Sequence, residues 1–401
     1  MSAPSASEIA ERAARLSYGR LLAILAAGTR DLPLAEEALA EAFARALELW
    51  PRQGVPVNPE GWLLTVARNG LSNHYRRDRT RAAATEELIL RAEERADHVL
   101  EVDERLSLMF VCAHPAIDPT ARTPLMLQTV LGLDAARIAA AFLVPPATMG
   151  QRLVRAKARI KELRLRFSVP EPDDLPGRLA DVLEAIYGAF GADWDGAGGS
   201  GLPDEAIHLA RVLRLLMPEE PEVKGLLALM LYIHARRAAR EGAVFVPLSE
   251  QNAALWDRDQ VIEAEGLLTD AARAGRFGRF QCEAAIQSVH AQRAITGQLN
   301  LEALETLHAL LARFHPTIGS QVSQAAVRRM QGDAVGALAL LDRLPEGAQT
   351  GYQPALVLRA HCLRDLGKPG AGRAAEDAVR ATNDPRVRAH LQQVFGLGRG
   401  K

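Results

Sequence analysis

The chain has 401 residues, a hydrophobic fraction of 48% and a formal net charge of −1 at pH 7. That hydrophobic fraction is enough for packed cores in two or three domains and excludes a disordered chain, while the balanced charge excludes a uniformly basic protein. Aromatic residues make up only 5%, and Ala, Leu, Arg and Glu dominate most segments, so we expect an all-helical fold.

The cysteines and the apolar segments indicate which covalent or metal sites and which cellular compartment to expect. Cys112, Cys282 and Cys362 are far apart and form no C-x-x-C pair, so neither a disulfide framework nor a zinc site is expected. The N-terminus has no basic segment followed by an apolar one, and no window approaches about 18 uninterrupted apolar residues. We therefore expect a protein of the reducing cytoplasm that is neither exported nor membrane-spanning.

The first predicted domain, residues 7–81, contains a helix with an acidic face at residues 34–50. Its predicted core side chains recur at helical spacing: Ala35, Leu39, Ala42, Ala46 and Trp50. The outer face carries Glu37, Glu41 and Glu48, which suit a basic partner helix. An ordinary solvated face would show the same spacing.

A second helix of this domain, at residues 61–81, combines aromatic and basic residues. Leu64, Ala67 and Leu71 form its predicted apolar stripe. Trp62 and Tyr75 offer flat surfaces on which unpaired bases can stack. The basic residues that can neutralise phosphates are Arg68, Arg76, Arg77 and Arg79. The pattern suits single-stranded DNA, and the alternative is a solvated basic face with Trp62 in the core.

A polar linker at residues 82–103 leads to a second predicted domain at residues 104–168. Within it, residues 134–161 have the pattern of a helix-turn-helix, with an apolar helix, a break marked by proline and a helix rich in Arg and Lys. One face of the last helix carries the apolar residues Met149, Leu153, Ala156 and Ile160. The other face carries Gln151, Arg152, Arg155 and Arg159, the arrangement that a reader of the DNA major groove requires.

The third predicted domain, residues 177–401, follows a proline-rich boundary at residues 168–176 and contains a repeat. Gly297, Gly332 and Gly367 recur about every 35 residues, close to the period of about 34 typical of tetratricopeptide helix pairs. Small residues are predicted where paired helices approach closely, at Ala325, Ala337, Ala360 and Ala371. Prolines follow the second helix of each unit, at Pro316, Pro345 and Pro385. Chance glycines in an Ala-rich chain are the alternative, but the pattern favours an array of helical hairpins.

Taken together, these segments resemble a bacterial sigma factor of the extracytoplasmic-function class, and more narrowly the subfamily with a C-terminal tetratricopeptide-like extension. Three motifs carry the resemblance in the first two domains: P-x-x-W-L-L-T-V-A-R-N at residues 59–69, D-E-R-L-x-L-x-F-x-C-x-H-P-A at residues 103–116 and A-F-L-V-P-x-A-T-M-x-Q-R-L-V-R-A-K at residues 141–157. Three more lie in the extension: P-E-V-K-G-L-L-A-L-M-L at residues 221–231, A-R-R-A-A-R at residues 235–240 and Q-N-A-A-L-W-D at residues 251–257.

The resemblance implies two small helical sigma domains that bind core RNA polymerase and direct promoter-specific transcription initiation. Glu37 and Glu41 would contact the clamp helices of the large catalytic subunit of the polymerase. The residues expected at the minus-ten element are Trp62, Arg68, Asn69, Asn73, Arg76 and Arg77. Those expected at the minus-thirty-five element are Thr148, Gln151, Arg152, Arg155, Lys157 and Arg159. The extension would regulate or assist the same molecule in cis, and is a candidate site for a regulatory protein or ligand.

Two other classes of function compete with this interpretation. The histidines of the extension, His290, His308, His315 and His361, form no metal-binding or catalytic motif, so we expect no enzyme activity, metal or cofactor. A helix-turn-helix regulator with a helical sensor domain would explain residues 134–161 without binding core polymerase, but it leaves residues 35–81 without a purpose. A repeat scaffold with a vestigial DNA-binding half is a further alternative.

Overall fold

The computed structural model describes residues 6–78 (side chains 17–75), 104–142, 144–171, 173–191 and 201–397. Over these ranges the chain consists of α-helices, two short 3-10 helices and connecting turns, with no strand, which confirms the all-helical prediction. The predicted linker at residues 82–103 lies outside the described residues. The chain divides into two compact units, Met1–Leu213 and Arg214–Lys401.

The first unit begins with two helical bundles. The helices of the first bundle are α1 (Ala6–Thr29), α2 (Leu32–Gln53) and α3 (Pro59–Asp78). Those of the second bundle are α4 (Glu104–Cys112), α5 (Pro119–Thr129), α6 (Ala135–Ala141) and α7 (Pro146–Leu163). Two further helices follow, α8 (Pro176–Gly191) and α9 (Leu202–Leu216), the last turn of which reaches the boundary of the second unit.

Side-chain caps and prolines set where these helices begin. Asp31 caps α2, because its carboxylate accepts a hydrogen bond from the backbone N–H of Leu34 at 3.2 Å. Asp134 caps α6 in the same way, accepting from the backbone N–H groups of Ala136 and Arg137 at 2.9 Å each. Pro146 occupies the first position of α7, where a missing N–H costs nothing. The helix-turn-helix boundaries therefore follow from local sequence.

The core of the first bundle matches the predicted face of α2 and differs from the predicted face of α3 at one residue. All five predicted core residues of α2 are buried, namely Ala35, Leu39, Ala42, Ala46 and Trp50. On α3 the buried stripe is Leu63, Ala67 and Leu71, whereas Leu64 is only half-buried. The prediction for Leu64 was wrong because the two leucines are adjacent, and contact with α1 and α2 decides which of them faces inward.

The core of the second bundle confirms the predicted apolar stripe of α7. Met149, Leu153, Ala156 and Ile160 are all buried. They pack in a bundle whose α4 is buried along its length from Leu106 to Cys112. Each fully buried Leu, Ile or Met of this kind contributes about 2 kcal/mol by leaving water. The bundle therefore presents the opposite side of α7 as its polar surface.

The first unit continues past the proline-rich segment 168–176 that the sequence marks as a boundary. Helix α8 packs on α5 and α4 with an apolar face that includes Leu183, Ile186 and Phe190. Arg122 of α5 donates to Asp181 of α8 at 3.0 Å. The buried Arg105 of α4 forms an ion pair with Glu205 of α9. The start of the predicted extension is therefore part of the same compact unit as the helix-turn-helix.

The second unit contains ten further helices in its described part. They are α10 (Pro221–His234), α11 (Arg258–Ala272), α12 (Arg279–Thr296), α13 (Leu301–Phe314), α14 (Ile318–Met330), α15 (Ala334–Leu341), α16 (Glu346–Gly351), α17 (Gln353–Asp365), α18 (Ala371–Arg380) and α19 (Pro385–Phe395). Helix α10 is the most enclosed, because α11 and α12 cover it and every residue from Leu226 to Ile233 is buried. None of the described helices combines the length and the hydropathy that a bilayer crossing needs.

The predicted repeat corresponds to consecutive pairs of packed helices. Gly297, Gly332 and Gly367 lie between the two helices of a pair and have φ values of 71°, 90° and 59°, a left-handed conformation that favours glycine. The small residues predicted at close helix approaches are fully buried at Ala325, Ala337 and Ala360. Ala371 is only half-buried, so that prediction was wrong. It is the first residue of α18, and the contact is made later in the helix by Ala375 and Ala378.

Candidate nucleic-acid interface

The acidic face of α2 is exposed at the two glutamates predicted to bind polymerase. Glu37 is exposed, and Glu41 is exposed beside Arg45, whose Nη2 donates to Glu41 Oε1 at 2.5 Å. An exposed ion pair one helical turn apart contributes well under about 1 kcal/mol, so it is easily exchanged for another basic partner. Both carboxylates are therefore available at the surface.

The polar face of α3 is formed by residues one helical turn apart. Thr65, Asn69 and Asn73 are all exposed, and Arg68 is half-buried beside them. Burial, and then the charge of Asp31, raise the pKa of Tyr75, so its phenol stays protonated and keeps a donor. The predicted contacts Arg76 and Arg77 belong to the last turn of α3, and their side chains lie outside the described residues.

Trp62 occupies a position between the two alternatives that the sequence allowed. Its ring meets Trp50 edge-on, with centroids 5.5 Å apart, and the residue is half-buried. The buried edge anchors α3 on α2 through an aromatic pair of a favoured geometry. The remaining surface of the indole is open to solvent at the start of the α3 polar face.

The polar face of α7 is open along the first four turns of the helix. Gln151, Arg155 and Arg159 are exposed, while Thr148 and Arg152 are half-buried. Arg155 donates to the backbone carbonyl of Gln151 at 3.3 Å, and Arg159 to Glu162 at 2.8 Å. These are local contacts on an exposed surface, which hold the guanidinium groups in place without removing them from solvent.

Val154, which was not among the predicted contacts, lies on the same face of α7. Its side chain is 67% exposed between Gln151 and Arg155. An exposed aliphatic group among guanidinium groups can contact the methyl group of thymine in a major groove. Its position outside the apolar stripe of α7 was a signal in the sequence that could have identified it.

Lys157 differs from its neighbours on α7, because it faces α2 inside the first unit. Its Nζ lies 2.6 Å from Glu36 Oε1 and 2.8 Å from Oε2, and the two side chains are only 15% and 20% exposed. One turn later, Lys161 Nζ lies 2.8 Å from Asp31 Oδ2. In this arrangement Lys157, which was predicted to contact the minus-thirty-five element, is paired with Glu36 and does not lie on the exposed face of α7.

A close backbone approach accompanies these ion pairs. Gly19 of α1 is buried directly against the carbonyl of Val130, which follows α5. A Cβ atom added at Gly19 would overlap that carbonyl, so α1 could not keep this distance with any larger residue. The two bundles therefore contact each other through α1 as well as through α2 and α7.

The described residues contain no group of three or more His, Cys, Asp or Glu placed to hold a metal ion. The three cysteines are buried and reduced. Burial raises the pKa of Cys112 to about 12, so its thiol remains protonated beside Thr129. Burial also lowers the pKa of His290 and of His308 to about 4, so both rings are neutral at pH 7.

Comparison with known proteins identifies the first bundle. The sigma-70 region 2 family matches residues 14–81, which contain most of α1 and all of α2 and α3. A probable RNA polymerase sigma-C factor of Mycobacterium bovis is 30% identical over 152 residues, covering 37% of this chain and 76% of that protein. The ECF RNA polymerase sigma factor SigC of Mycobacterium tuberculosis matches with the same identity and coverage. The chain belongs to the sigma-70 family of sigma factors.

The sequence similarity to a longer protein extends through both units of this chain. An uncharacterized protein of Rhizobium meliloti is 38% identical over 369 residues, covering 88% of this chain and 86% of that protein. Residues 178–272, from α8 to α11, match a family of unknown function, DUF6596. No solved structure matches. The helix-turn-helix lies between the two matched family segments.

Proposed function

We propose that this chain is an alternative sigma factor of the extracytoplasmic-function group that binds core RNA polymerase and directs promoter-specific initiation. One observation carries the proposal. Two helices, α3 and α7, each bury an apolar stripe and expose a polar face, and α3 belongs to a sigma-70 region 2 segment. A protein that binds two separate promoter elements needs two such faces on one chain.

The proposed mechanism uses binding energy and no chemistry of the chain itself. Glu37 and Glu41 of α2 dock on a basic surface of the polymerase. The exposed face of α7, with Gln151 and Arg155, captures duplex DNA in the major groove. The polar face of α3 holds unpaired bases, which offsets a melting cost of a few kcal/mol per opened step. The polymerase then supplies the catalysis.

We propose further that the described arrangement is a closed form. The minus-ten and minus-thirty-five elements are about 25 base pairs apart, which is about 85 Å of duplex at 3.4 Å per base pair. Helices α2 and α7 touch through the Glu36–Lys157 pair at 2.6 Å. Both faces cannot engage such distant elements while α7 is held on α2. The ion pairs and the Gly19 contact must therefore separate when the chain binds polymerase and promoter.

The extension is proposed to act in cis on this opening as a tetratricopeptide-like array of helical hairpins. Its first helix, α8, packs on α5, and Arg122 and Asp181 join them at 3.0 Å with side chains only 15% and 26% exposed. A change in the extension can therefore reach the second bundle through a packed helix, without a second chain.

Run-off transcription with core polymerase over a promoter library tests the main proposal. We expect transcripts that begin at defined promoters only when this chain is added. The double variant Glu37→Lys, Glu41→Lys should abolish them, whereas Glu48→Lys on the same helix should not. Tight duplex binding without core polymerase, combined with no transcription in its presence, would favour the helix-turn-helix regulator instead.

The closed form has its own test in Gly19→Ala, which alters neither polar face. The added methyl group should push α1 away from Val130, raising the population of open molecules and the affinity for a minus-thirty-five duplex in the absence of polymerase. Gly266→Ala is a matched control, because the Cβ added there meets nothing within 4 Å. Equal duplex affinities for Gly19→Ala and the unaltered chain would contradict the closed form.

Control in cis is best tested with a chain that ends at residue 217. Ending it after residue 167 would remove α8 and uncover the apolar surface of α5, so low activity would have a trivial cause. A chain of residues 1–217 keeps all of the first unit. If its promoter activity and its regulation equal those of the full chain, control by the second unit is wrong.

A further inference from the structure

Two sequence motifs of the extension, one rich in arginine and one containing a tryptophan, lie next to each other in the second unit. The turn A-R-R-A-A-R, residues 235–240, follows α10, and the segment Q-N-A-A-L-W-D, residues 251–257, precedes α11. The backbone N–H of Asp257 donates to the carbonyl of Ala235 at 2.9 Å, which joins the two segments. The Arg236 guanidinium lies over the ring of Trp256, 6.0 Å from its centroid.

Arg236 is buried without a carboxylate partner. Only 7% of the residue is exposed, and the hydrogen bond of its side chain is donated by Nη2 to the amide oxygen of Gln287 at 2.7 Å. Among the described residues no Asp or Glu forms an ion pair with it. A guanidinium has five N–H donors and a full charge, and burying it without a counter-charge is costly. Within the described residues, the Arg236 guanidinium therefore has no negative partner of its own.

The groups around Arg236 add positive charge. Arg293 of α12 donates to the backbone carbonyls of Ser249 and Leu248 at 3.0 and 2.8 Å, so it too is held by neutral acceptors. Burial, followed by the charges of Arg240 and Arg293, lowers the pKa of Arg236 to about 10. At neutral pH the Arg236 guanidinium therefore remains charged, and the positive charges of Arg240 and Arg293 repel it.

Trp256 provides an independent sign of a missing partner. The residue is only 9% exposed, and its indole N–H has no acceptor among the described residues. Buried indole N–H groups in native proteins are normally hydrogen-bonded. Trp256 thus brings an unused donor to the same place where Arg236 brings an uncompensated charge.

We propose that Arg236, Arg240 and Arg293, with the indole N–H of Trp256, form a binding site for the phosphate group of a small molecule. A phosphate carries close to two negative charges and several acceptor oxygens, which match forked guanidinium donors better than a singly charged carboxylate does. The burial of Arg236 excludes a nucleic-acid backbone, because a duplex cannot follow a side chain that is nine-tenths enclosed. Trp256 also lines an open groove with Arg237, Glu241 and Asp257, which leaves room beside the site for a part of the ligand that carries no negative charge.

Thermal unfolding of the full chain in inorganic phosphate, compared with chloride at the same ionic strength, tests the site. A ligand that binds only the folded state raises the melting temperature, and we expect a rise of about 3 °C at phosphate concentrations well above the dissociation constant. Arg236→Gln should lose most of this rise. Arg240→Gln and Arg293→Gln, whose side chains are less enclosed, should lose it as well and cover the case in which Arg236→Gln does not fold.

The control variant is Arg273→Gln on α11, which removes a charge from a side chain that is 75% exposed. It should keep the full rise. An equal rise in all four variants would mean that phosphate binds elsewhere, for example on α7, and would overturn the proposal, as would the absence of any rise. A response to acetate as large as that to phosphate would overturn the assignment to phosphate. None of these outcomes depends on polymerase binding.

Discussion

The arginines of α7 and those of the turn after α10 form two clusters of the same residue type in opposite surroundings. On α7, Arg155 and Arg159 are exposed and make local contacts. After α10, Arg236 is enclosed, and its polar partner within the described part of the chain is an amide oxygen. An exposed row of guanidinium groups can follow an extended polyanion, whereas an enclosed one can accept only a small anion. The difference in burial therefore separates two kinds of ligand.

The largest expected effect concerns the exposed cluster. Replacing Arg152 and Arg155 together by Ala should lower promoter-specific run-off transcription about 1,000-fold, because two lost DNA contacts cost about 2 kcal/mol each. Arg380→Ala, which removes an arginine that is 73% exposed in the second unit, is the control and should change little. Unchanged transcription by the double variant would place the DNA-binding surface elsewhere and favour the vestigial scaffold.

A buried histidine of the second unit should show what burial does to an ionisable group that becomes neutral at pH 7. His308 is 8% exposed, and burial lowers its pKa to about 4, whereas an unfolded chain has a histidine pKa of about 6.5. The unfolded state therefore binds more protons between these values. The contribution of the neutral His308 ring to stability should be fully present above pH 6.5. The free energy of unfolding should fall by about 2 to 3 kcal/mol as the pH drops to 4.

Urea unfolding of the second unit at several pH values measures the slope of the free energy of unfolding against pH. His308→Leu should flatten it by close to one proton, because the apolar residue cannot titrate. The exposed His208→Leu in the first unit serves as the control for changing a histidine as such. If His308→Leu had the same slope as the unaltered chain, burial of His308 would not be the cause of the loss of stability at low pH.

The two arginine clusters should also differ in their contribution to the free energy of unfolding. In phosphate-free buffer, Arg236→Met should raise the free energy of unfolding by about 1 kcal/mol, because it removes a buried charge that lacks a counter-charge. Arg155→Met on α7 should change it by less than about 0.5 kcal/mol, as expected for an exposed site. Urea unfolding measures both. A clear loss of stability in Arg236→Met would mean that the arginine is structural and would remove the contrast between the clusters.

The smallest expected effect is at Gly150, on the second turn of α7. A Cβ added there meets nothing within 4 Å, and the backbone is helical, so Gly150→Ala should raise the unfolding free energy by up to about 1 kcal/mol. Thermal unfolding in the absence of DNA measures the change. A loss of stability would contradict this prediction, because it would mean that the added methyl group clashes with a neighbouring atom.

The sequence predicted those features that depend on neighbours within a turn or two of helix. The apolar stripe of α7, the core face of α2 and the three glycines between paired helices were all confirmed, because helical periodicity and a positive φ are local requirements. The error at Leu64 shows the limit of this approach. Adjacent Leu63 and Leu64 are equivalent in a periodicity argument, and only packing against other helices distinguishes them.

The all-helical fold and the composition of the two polar faces were thus determined by the sequence itself, because each helix carries its own pattern. The tertiary structure alone decided which charges are available. Lys157 is paired with Glu36, a residue 121 positions away, and Gly19 lies against Val130 across two bundles. Arg236 and Arg155 occur in similar Ala- and Arg-rich segments, yet one is enclosed and the other exposed. Burial and long-range pairing depend on how helices pack, and no local pattern encodes them.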